Sequence, residues 1–341
     1  MKTVIKTSTG SYPVYTGKGL LDNLSSYLPE TFVGRKVLTI TDDTVAPLYL
    51  DKVRNALDSE VFVVKHGEKS KSLASVGKVL EFLAEKEFNR KDAIIALGGG
   101  VVGDLAGFIS SIYVRGIPYV QIPTTLLAGI DSSVGGKTAV NLSLGKNMVG
   151  RIYPPEAVIF DLETLKTLPK KYLKDGYGEG LKYALLCGEE LFSVMEKGLD
   201  ETNLERFVDL CVRYKADVVE KDENESSLRR LLNLGHTVGH AVERKSSLRY
   251  THGVCVGIGL RVVCSACRKN GLLSDNEYLR CVELFDKYRI PENPYPVKDL
   301  IDIMRLDKKT DGDYVNLVTV HGLGDCRIEK MTFGEAEVFF E

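Results

Sequence analysis

The first half of the chain alternates short β-rich runs with helical patterns, and this alternation constrains the fold more than any other feature. Four runs are predicted to be strands: Lys36–Thr41, Glu60–Val64, Ala93–Leu97 and Tyr119–Ile122. Between the second and third, apolar residues recur every three or four positions from Leu73 to Leu83, which predicts an amphipathic helix. Because alternating strands and helices form βαβ units, we predict a mostly parallel sheet with ligands at the carboxyl ends of its strands.

The second half has a different pattern. Long helical periodicities dominate from about Leu162, for example between Leu204 and Val218, and strand-like sequence returns only at Tyr314–Val320. Two consecutive prolines, Pro154 and Pro155, interrupt the pattern between the halves. We therefore predict an α/β N-terminal domain over residues 1–155 and a mainly α-helical C-terminal domain over residues 156–341.

Composition excludes several classes of protein. With 44% hydrophobic and 27% charged residues among 341, the chain is neither disordered nor fibrous. Its net charge of −2 provides no field that would attract nucleic acid or an anionic membrane. Apolar runs stay far below the roughly 18 residues that span a bilayer, and the N-terminal sequence lacks the apolar core of a signal peptide. We expect a cytoplasmic protein that binds neither nucleic acid nor membrane.

Seven cysteines lie between Cys187 and Cys326, mostly among apolar neighbours. An odd number in this setting predicts reduced, partly buried thiols rather than a disulfide framework. Cys264 and Cys267 form a C-x-x-C pair in an apolar helical stretch with no second pair nearby, which favours core packing over zinc or redox roles.

A glycine cluster follows the third predicted strand. Gly98, Gly100 and Gly103 satisfy G-x-G-x-x-G between a strand and a helix, where backbone N–H groups can approach a pyrophosphate. The alternative is a tight turn without a ligand. The position after the third strand favours a nucleotide site but not a standard Rossmann layout.

A second polar loop comprises Thr124, Thr125 and the segment Asp131–Thr138. It contains G-G-K-T but lacks the spacing of a P-loop, so a Walker A site is rejected. A glycine-rich surface turn is the alternative. Together with Lys146 and Asn147, its hydroxyl and ammonium groups suit an anionic, polyhydroxylated substrate.

The strongest signal is a polar stripe. Its members step by 4, 3, 4 and 3, which predicts one face of one helix: Arg229, Asn233, His236, His240 and Glu243. His252 follows a short turn, so three of the five histidines fall within 17 residues.

His236 and His240 are spaced so that both can point at one centre, and Glu179 begins a polar pair with Lys182. A carboxylate with two imidazoles and an open position is typical of catalytic zinc sites. The alternative is a set of histidines bonded to core carbonyls.

Four motifs together resemble the 3-dehydroquinate synthase family of the sugar-phosphate cyclase superfamily: Gly99–Phe108, Pro123–Ala128, Asp131–Lys137 and Leu234–His240. The resemblance extends from about Tyr12 to Lys309. It implies a nucleotide-binding N-terminal domain, a C-terminal domain that binds metal and substrate, and a homodimer.

The implied activity is that of a carbon–oxygen lyase that depends on NAD and a divalent metal, zinc or cobalt. Such an enzyme converts 3-deoxy-D-arabino-heptulosonate 7-phosphate to 3-dehydroquinate and phosphate in the shikimate pathway, which leads to chorismate and aromatic amino acids. The C5 hydroxyl is oxidised, phosphate leaves, the ketone is reduced again, and ring opening precedes an aldol closure. NAD is therefore regenerated in each turnover.

The resemblance assigns residues to roles. The metal ligands would be Glu179, His236 and His252. The catalytic set would be His240, which handles a proton, Glu225, a proton acceptor, and Lys182, Arg229 and Asn233. The substrate-binding set would be Arg115, Asp131, Lys137, Asn147, Lys215 and Lys308. The NAD-contacting set would be Asp42, Glu68, Lys71, Gly99, Gly100, Val101, Asp104, Thr124, Thr125, Lys146, Thr164 and Thr167. Without the resemblance, Lys308 and Lys309 resemble a solvated charge run.

Three departures from the family pattern affect these expectations. Thr44 stands where the family usually has Asn, so one cofactor contact is expected to be lost or replaced. Val254 stands where Glu is common, which removes a carboxylate near a predicted metal ligand. Gly178 and Gly180 flank Glu179 and are expected to loosen that helix.

The sequence leaves three alternative functions. Related cyclases act on glucose 6-phosphate or sedoheptulose 7-phosphate, but Asn233 with Arg229 favours the dehydroquinate enzyme. An enzyme resembling glycerol dehydrogenase would release NADH stoichiometrically. A non-catalytic metal or nucleotide binder is disfavoured by the intact set of predicted ligands.

Overall fold

The apolar runs of the first half form the centre of a seven-stranded sheet in the computed structural model, which describes residues 1–225, 227–247, 249–305 and 312–341. The strands of this sheet are β1 (Lys2–Thr7), β2 (Gly10–Gly17), β3 (Val37–Asp42), β4 (Glu60–Val64), β5 (Ala93–Gly98), β6 (Tyr119–Pro123) and β9 (Ala157–Asp161). Their order is β1-β2-β9-β6-β5-β3-β4, and all neighbours are parallel except β1 and β2. The predicted parallel sheet is confirmed.

Helices cover both faces of this sheet, since alternate residues of β5 enter different cores. Ile94 and Ala96 pack with residues of α2 (Leu73–Glu85) and α3 (Gly100–Ile112). Ile95 and Leu97 pack with residues of α1 (Ala46–Ala56). Burial on both faces explains why the central strands are continuously apolar rather than alternating.

The chain divides into two compact units. The first comprises Met1–Leu168 and Lys215–Glu220, and the second comprises Pro169–Tyr214 and Lys221–Glu341. The first unit therefore extends beyond the predicted limit of residue 155, because β9 lies between β2 and β6 in the sheet. It also contains the antiparallel hairpin of β7 (Lys137–Leu142) and β8 (Gly145–Ile152), which the sequence reasoning missed.

The second unit is mainly helical, as predicted. Its helices are α4 (Lys170–Cys187), α5 (Glu189–Lys197), most of α6 (Leu204–Lys221), α7 (His236–Lys245), α8 (His252–Lys269), α9 (Asp275–Lys287), α10 (Val297–Arg305) and α11 (Phe333–Phe340). The hairpin of β10 (Tyr314–Gly322) and β11 (Asp325–Thr332) completes it. Among the described residues, no helix is both long enough and apolar enough to cross a bilayer.

The cysteines behave as predicted. All seven lie in the described part of the chain and none forms a disulfide, and Cys264 and Cys267 are fully buried within α8. They contribute to the core of the second unit.

Candidate active site

In the first unit, the predicted nucleotide loop lies at the carboxyl end of β5. The strand ends at Gly98 and α3 begins at Gly100, so Gly99 alone separates them. A Cβ atom on Gly99 would lie 2.9 Å from Cγ2 of Thr125, and one on Gly100 would lie 3.0 Å from Oγ of Ser132. Any larger residue would therefore crowd the side chains of Thr125 and Ser132 at the N-terminus of α3, where backbone N–H groups lack intrahelical partners.

A buried ion pair lies beside this loop. The Nζ atom of Lys71 donates to the carboxylate of Asp104 and to Oδ1 of Asn147, and Lys71 is 5% exposed. Burial raises the pKa of Asp104, although Lys71 opposes the shift. Three residues predicted from the family resemblance are thus brought together.

Asn141 connects this pair to Glu68 and was missed by the sequence reasoning. Its amide donates to Oε1 of Glu68 at 2.7 Å, and its Oδ1 accepts from the backbone N–H of Asn147 at 2.8 Å. Its own N–H donates to the carbonyl of Lys71 at 2.9 Å. An asparagine within a strand gives little signal in sequence, because its role depends on the partners that the hairpin supplies.

Asp42 is the last residue of β3, and its carboxylate contacts Thr44, the residue that stands where the family usually has Asn. Oδ1 of Asp42 accepts from the N–H of Thr44 at 2.8 Å, from its hydroxyl at 2.6 Å, and from the N–H of Val45 at 3.0 Å. Thr44 therefore orients the Asp42 carboxylate.

The remaining predicted residues of the first unit occupy varied environments. Lys215 donates to the carbonyl of Asp131 at 2.6 Å and forms an ion pair with its carboxylate.

The hydroxyl of Thr164 is buried and donates to the carbonyl of Asp161, whereas the hydroxyl of Thr167 lies 2.5 Å from Tyr49 Oη. Arg115, Lys137 and Lys146 have exposed positions, and Thr124 donates its N–H to Gly98 at 3.0 Å. Val101 lies in the first turn of α3.

In the second unit, three predicted metal ligands converge. The Oε1 atom of Glu179 lies 3.3 Å from Nε2 of His236 and 3.2 Å from Nε2 of His252. Glu179 is fully buried, and within the described chain Oε1 makes no hydrogen bond of suitable geometry. Ligand atoms held about 2.0–2.1 Å from one tetrahedral ion lie about 3.3–3.4 Å apart. The spacing therefore fits a shared divalent metal.

The other ring nitrogens of these histidines have acceptors. Nδ1 of His236 lies 3.2 Å from the carbonyl of Leu234, and Nδ1 of His252 lies 3.4 Å from Oε2 of Glu243. A neutral histidine that donates through Nδ1 leaves its Nε2 lone pair for a metal. The donor set thus fits the group that the sequence predicts.

Close helix crossings bring the ligands together. A Cβ atom on Gly178 would lie 1.8 Å from the carbonyl oxygen of Gly253, so α4 and α8 touch beside Glu179 and His252. Likewise, a Cβ atom on Gly259 would lie 2.0 Å from the carbonyl oxygen of Gly235, beside His236. Gly178 allows this contact between α4 and α8, whereas a Cβ atom on Gly180 would lie 2.6 Å from Cζ of Phe207. That the two glycines loosen α4 stays a prediction.

Basic side chains lie on both sides of the buried Glu179 carboxylate. Nζ of Lys182 lies 2.8 Å from Oε2 of Glu179, and both side chains are almost completely buried. Burial favours the protonated form of Glu179, but Lys182 and His236 outweigh it and hold its pKa well below the usual range. Burial lowers the pKa of His252, yet Glu179 and Glu243 raise it to about 10. Glu179 therefore lies among groups that favour its carboxylate form.

His240 lies next to the two predicted histidine ligands. Its ring centroid is 5.4 Å from that of His236 and 5.7 Å from that of His252. Nitrogen atoms of all three histidines lie within 4.8 Å of one another. The predicted cluster of three histidines is confirmed.

The single-helix prediction for residues 229–243 is wrong. A short 3-10 turn spans Leu228–Asn233, and α7 begins only at His236, because Gly235 adopts a left-handed conformation with φ of 76°. Only His236, His240 and Glu243 share the face of one helix.

Arg229, Asn233 and Glu225 lie around that turn. Arg229 is 2% exposed and donates to the carbonyl of Glu223 at 2.6 Å. Asn233 donates to Oε1 of Glu225 at 3.0 Å. Lys308 lies outside the described residues.

Comparison with known proteins identifies the family of the chain. Residues 61–175 match the family description "3-dehydroquinate synthase N-terminal", and residues 176–310 match "3-dehydroquinate synthase C-terminal". A 3-dehydroquinate synthase of Desulforamulus reducens is 42% identical over 335 residues, which are 94% of this chain and 93% of that protein. The chain belongs to the 3-dehydroquinate synthase family.

Two solved structures share the fold of this family member. A 2-deoxy-scyllo-inosose synthase in complex with carbaglucose-6-phosphate, NAD+ and Co2+ has a TM-score of 0.89 at 24% identity, covering 100% of this chain and 99% of its own. ValA, a 2-epi-5-epi-valiolone synthase from Streptomyces hygroscopicus subsp. jinggangensis 5008 with NAD+ and Zn2+ bound, has a TM-score of 0.84 at 28% identity, covering 99% and 97%.

Proposed function

We propose that the chain catalyses the family reaction, the conversion of 3-deoxy-D-arabino-heptulosonate 7-phosphate to 3-dehydroquinate and phosphate. The observation that carries this proposal is the convergence of Glu179, His236 and His252 in a member of this family. A buried carboxylate and two imidazoles fit a divalent cation that leaves room for substrate oxygens.

We also propose that the cofactors are NAD+ and a zinc or cobalt ion. The glycines at the start of α3 leave the backbone accessible to a pyrophosphate, and the orphaned Oε1 of Glu179 suits a cation. When bound, NAD+ accepts and returns a hydride, and the metal acts as a Lewis acid. The two solved relatives contain NAD+ together with Co2+ or Zn2+.

Each unit contributes residues with distinct roles. In the first, we assign cofactor contacts to the residues around Gly99 and Asp42, with Lys71 and Asp104 holding the loop. In the second, His240 lies beside the proposed metal ligands and would move a proton to or from the substrate. Glu225, oriented by Asn233, would accept a proton, while Lys182 holds the charge of Glu179.

Cationic side chains of the predicted binding set suit the phosphate and carboxylate of the substrate. The proposed binding residues are Arg115, Asp131, Lys137, Asn147, Lys215, Arg229 and Lys308. The predicted homodimer and cytoplasmic location stay predictions, and light scattering of the purified protein would test the first.

The experiment compares phosphate release from three sugar phosphates by the NAD- and zinc-loaded protein, with NADH absorbance recorded in the same reaction. We expect release from the heptulosonate phosphate, and none from glucose 6-phosphate or sedoheptulose 7-phosphate. NADH should not accumulate. Preferred turnover of another sugar phosphate, or one NADH per substrate, would refute the assignment.

A further inference from the structure

The acidic end of the stripe on α7 has no role in the proposed reaction. Glu243 follows His236 by seven residues and His240 by three, so it lies on the same helix face as both. Its side chain is only 10% exposed. A carboxylate is costly to bury unless it meets a cation or hydrogen-bond donors, which indicates a specific task for this one.

One contact that meets this requirement is with a proposed metal ligand. Oε2 of Glu243 lies 3.4 Å from Nδ1 of His252, while Nε2 of the same ring faces Glu179 at 3.2 Å. Each nitrogen of the imidazole therefore lies near a carboxylate oxygen. If Nε2 ligates the metal, the proton must reside on Nδ1, and Glu243 is its acceptor.

The residue after Gly253 does not supply this carboxylate. Val254 is apolar and 5% exposed. The nearby Asp175 accepts the backbone N–H of Gly253 at 2.5 Å and so anchors the start of α8. Its contact orients the helix, whereas Glu243 touches the ring itself.

The two proposed histidine ligands are thus supported differently. His236 Nδ1 lies against a backbone carbonyl, that of Leu234, which is present whatever side chain occupies the position. His252 depends on the side chain of Glu243, which a substitution can remove. Partners of this kind fix ring orientation and increase ligand basicity, and their loss typically costs 10–100-fold in metal affinity.

We propose that Glu243 is a positioning residue that holds His252 in the tautomer and orientation required to bind the divalent metal. The proposal rests on the metal site of the proposed function. It concerns how tightly the metal is held and adds no group to the reacting centre.

The test measures zinc affinity by competition with a chromophoric chelator in wild type, Glu243→Gln and Glu243→Ala, and records the visible spectrum of the cobalt-loaded proteins. Glu243→Ala should bind zinc about 10–100-fold more weakly, with an altered cobalt spectrum. Glu243→Gln, which keeps an acceptor but loses the charge, should be intermediate. Glu283→Ala, on the exposed surface of α9, serves as the control and should match wild type.

NAD affinity and a cooperative thermal transition of the metal-free variants separate positioning from misfolding, and both should be kept. The melting temperature of Glu243→Ala should fall, because His252 loses an acceptor there. Zinc affinity within twofold of wild type and an unchanged cobalt spectrum in Glu243→Ala would overturn the proposal. Failure of wild-type protein to bind zinc would instead refute the proposed metal site, so the two failures are distinguishable. If Glu243→Ala does not fold, the same readings on Glu243→Gln decide.

Discussion

The two units build their candidate sites from opposite materials. In the first, the proposed nucleotide site lies at glycines 99 and 100, whose Cβ positions lie within 3.0 Å of the side chains of Thr125 and Ser132, so adding atoms should disrupt it. In the second, the centre consists of side-chain atoms of Glu179, His236 and His252, so removing atoms should destroy it. Glycines therefore belong to the proposed site itself in the first unit, whereas in the second they lie behind the proposed metal ligands and let helices touch.

Metal removal should have the largest effect on activity, and it should affect only the proposed centre of Glu179, His236 and His252 in the second unit. Chelation should lower the rate of phosphate release at least about a thousandfold, since the Lewis acid supplies several kcal/mol of transition-state stabilisation. Added zinc or cobalt should restore the rate, and NAD affinity should not change. Zinc-saturated chelator is the control. Full activity in metal-free protein would show that the reaction does not depend on a metal bound by Glu179, His236 and His252.

A buried ion pair between Lys71 and Asp104 lies beside the proposed nucleotide site of the first unit, so side chains should also matter there. Lys71→Met should lower the free energy of unfolding by about 3–5 kcal/mol, because Asp104 remains buried without its cation. The loss should shrink as pH falls, since the raised pKa of Asp104 lets it protonate early, and protonation removes the buried charge.

Urea unfolding of Lys71→Met, Asp104→Asn and the double variant measures this coupling. We expect the double variant to be more stable than Lys71→Met alone. Additive losses would show that the two residues do not support each other.

The helix crossing behind the metal centre is tested by Gly178→Ala. The new methyl would meet the carbonyl oxygen of Gly253 at 1.8 Å, so we expect a loss of about 3 kcal/mol and weaker zinc binding. Gly77→Ala is the matched control, because Gly77 lies within α2 with nothing inside 4 Å of its Cβ position. It should gain about 0.5–1 kcal/mol. Equal effects at both positions would rule out a requirement for close approach.

The smallest effect concerns an exposed pair of the second unit and sharpens the contrast with Lys71 and Asp104. Hydrogen bonds from Arg280 and Ser193 lower the pKa of Glu189 to about 2. The stabilisation is therefore present above the unfolded value near 4.5 and is lost as pH falls toward 2.

Glu189→Gln should lower stability by less than about 1 kcal/mol at neutral pH, because solvent screens the pair. The difference from wild type should narrow at about pH 4. Urea unfolding at both pH values provides the measurement, and a pH-independent difference would argue against the ion pair.

Much of the fold and of the metal centre could be predicted from local pattern. The strand predicted at Glu60–Val64 has those limits in the structure, and the clustering of His236, His240 and His252 is confirmed. Each of these signals depends on residues close in sequence. The family and its fold class were also predicted, from motifs spread over nearly the whole chain.

What could not be predicted depends on partners distant in sequence. β9 belongs to the first unit because β2 and β6 pair with it, which no local pattern reveals. The break at Gly235 could not be predicted, because the polar spacing continues across it. Gly235 adopts a left-handed conformation, and α7 begins only after it. The role of Gly178 required knowledge of Gly253, 75 residues later in the chain.

Our central claim is that the cofactor site and the metal site are built separately in the two units. Titrations of two variants with NAD and with zinc test it most directly. NAD and zinc binding are measured by calorimetry on His236→Ala and Gly99→Ala, with His321→Ala as a control. We predict that His236→Ala loses zinc but binds NAD like wild type, and that Gly99→Ala loses NAD affinity but keeps zinc. Stoichiometric zinc on His236→Ala, or loss of both ligands in either folded variant, would contradict the account.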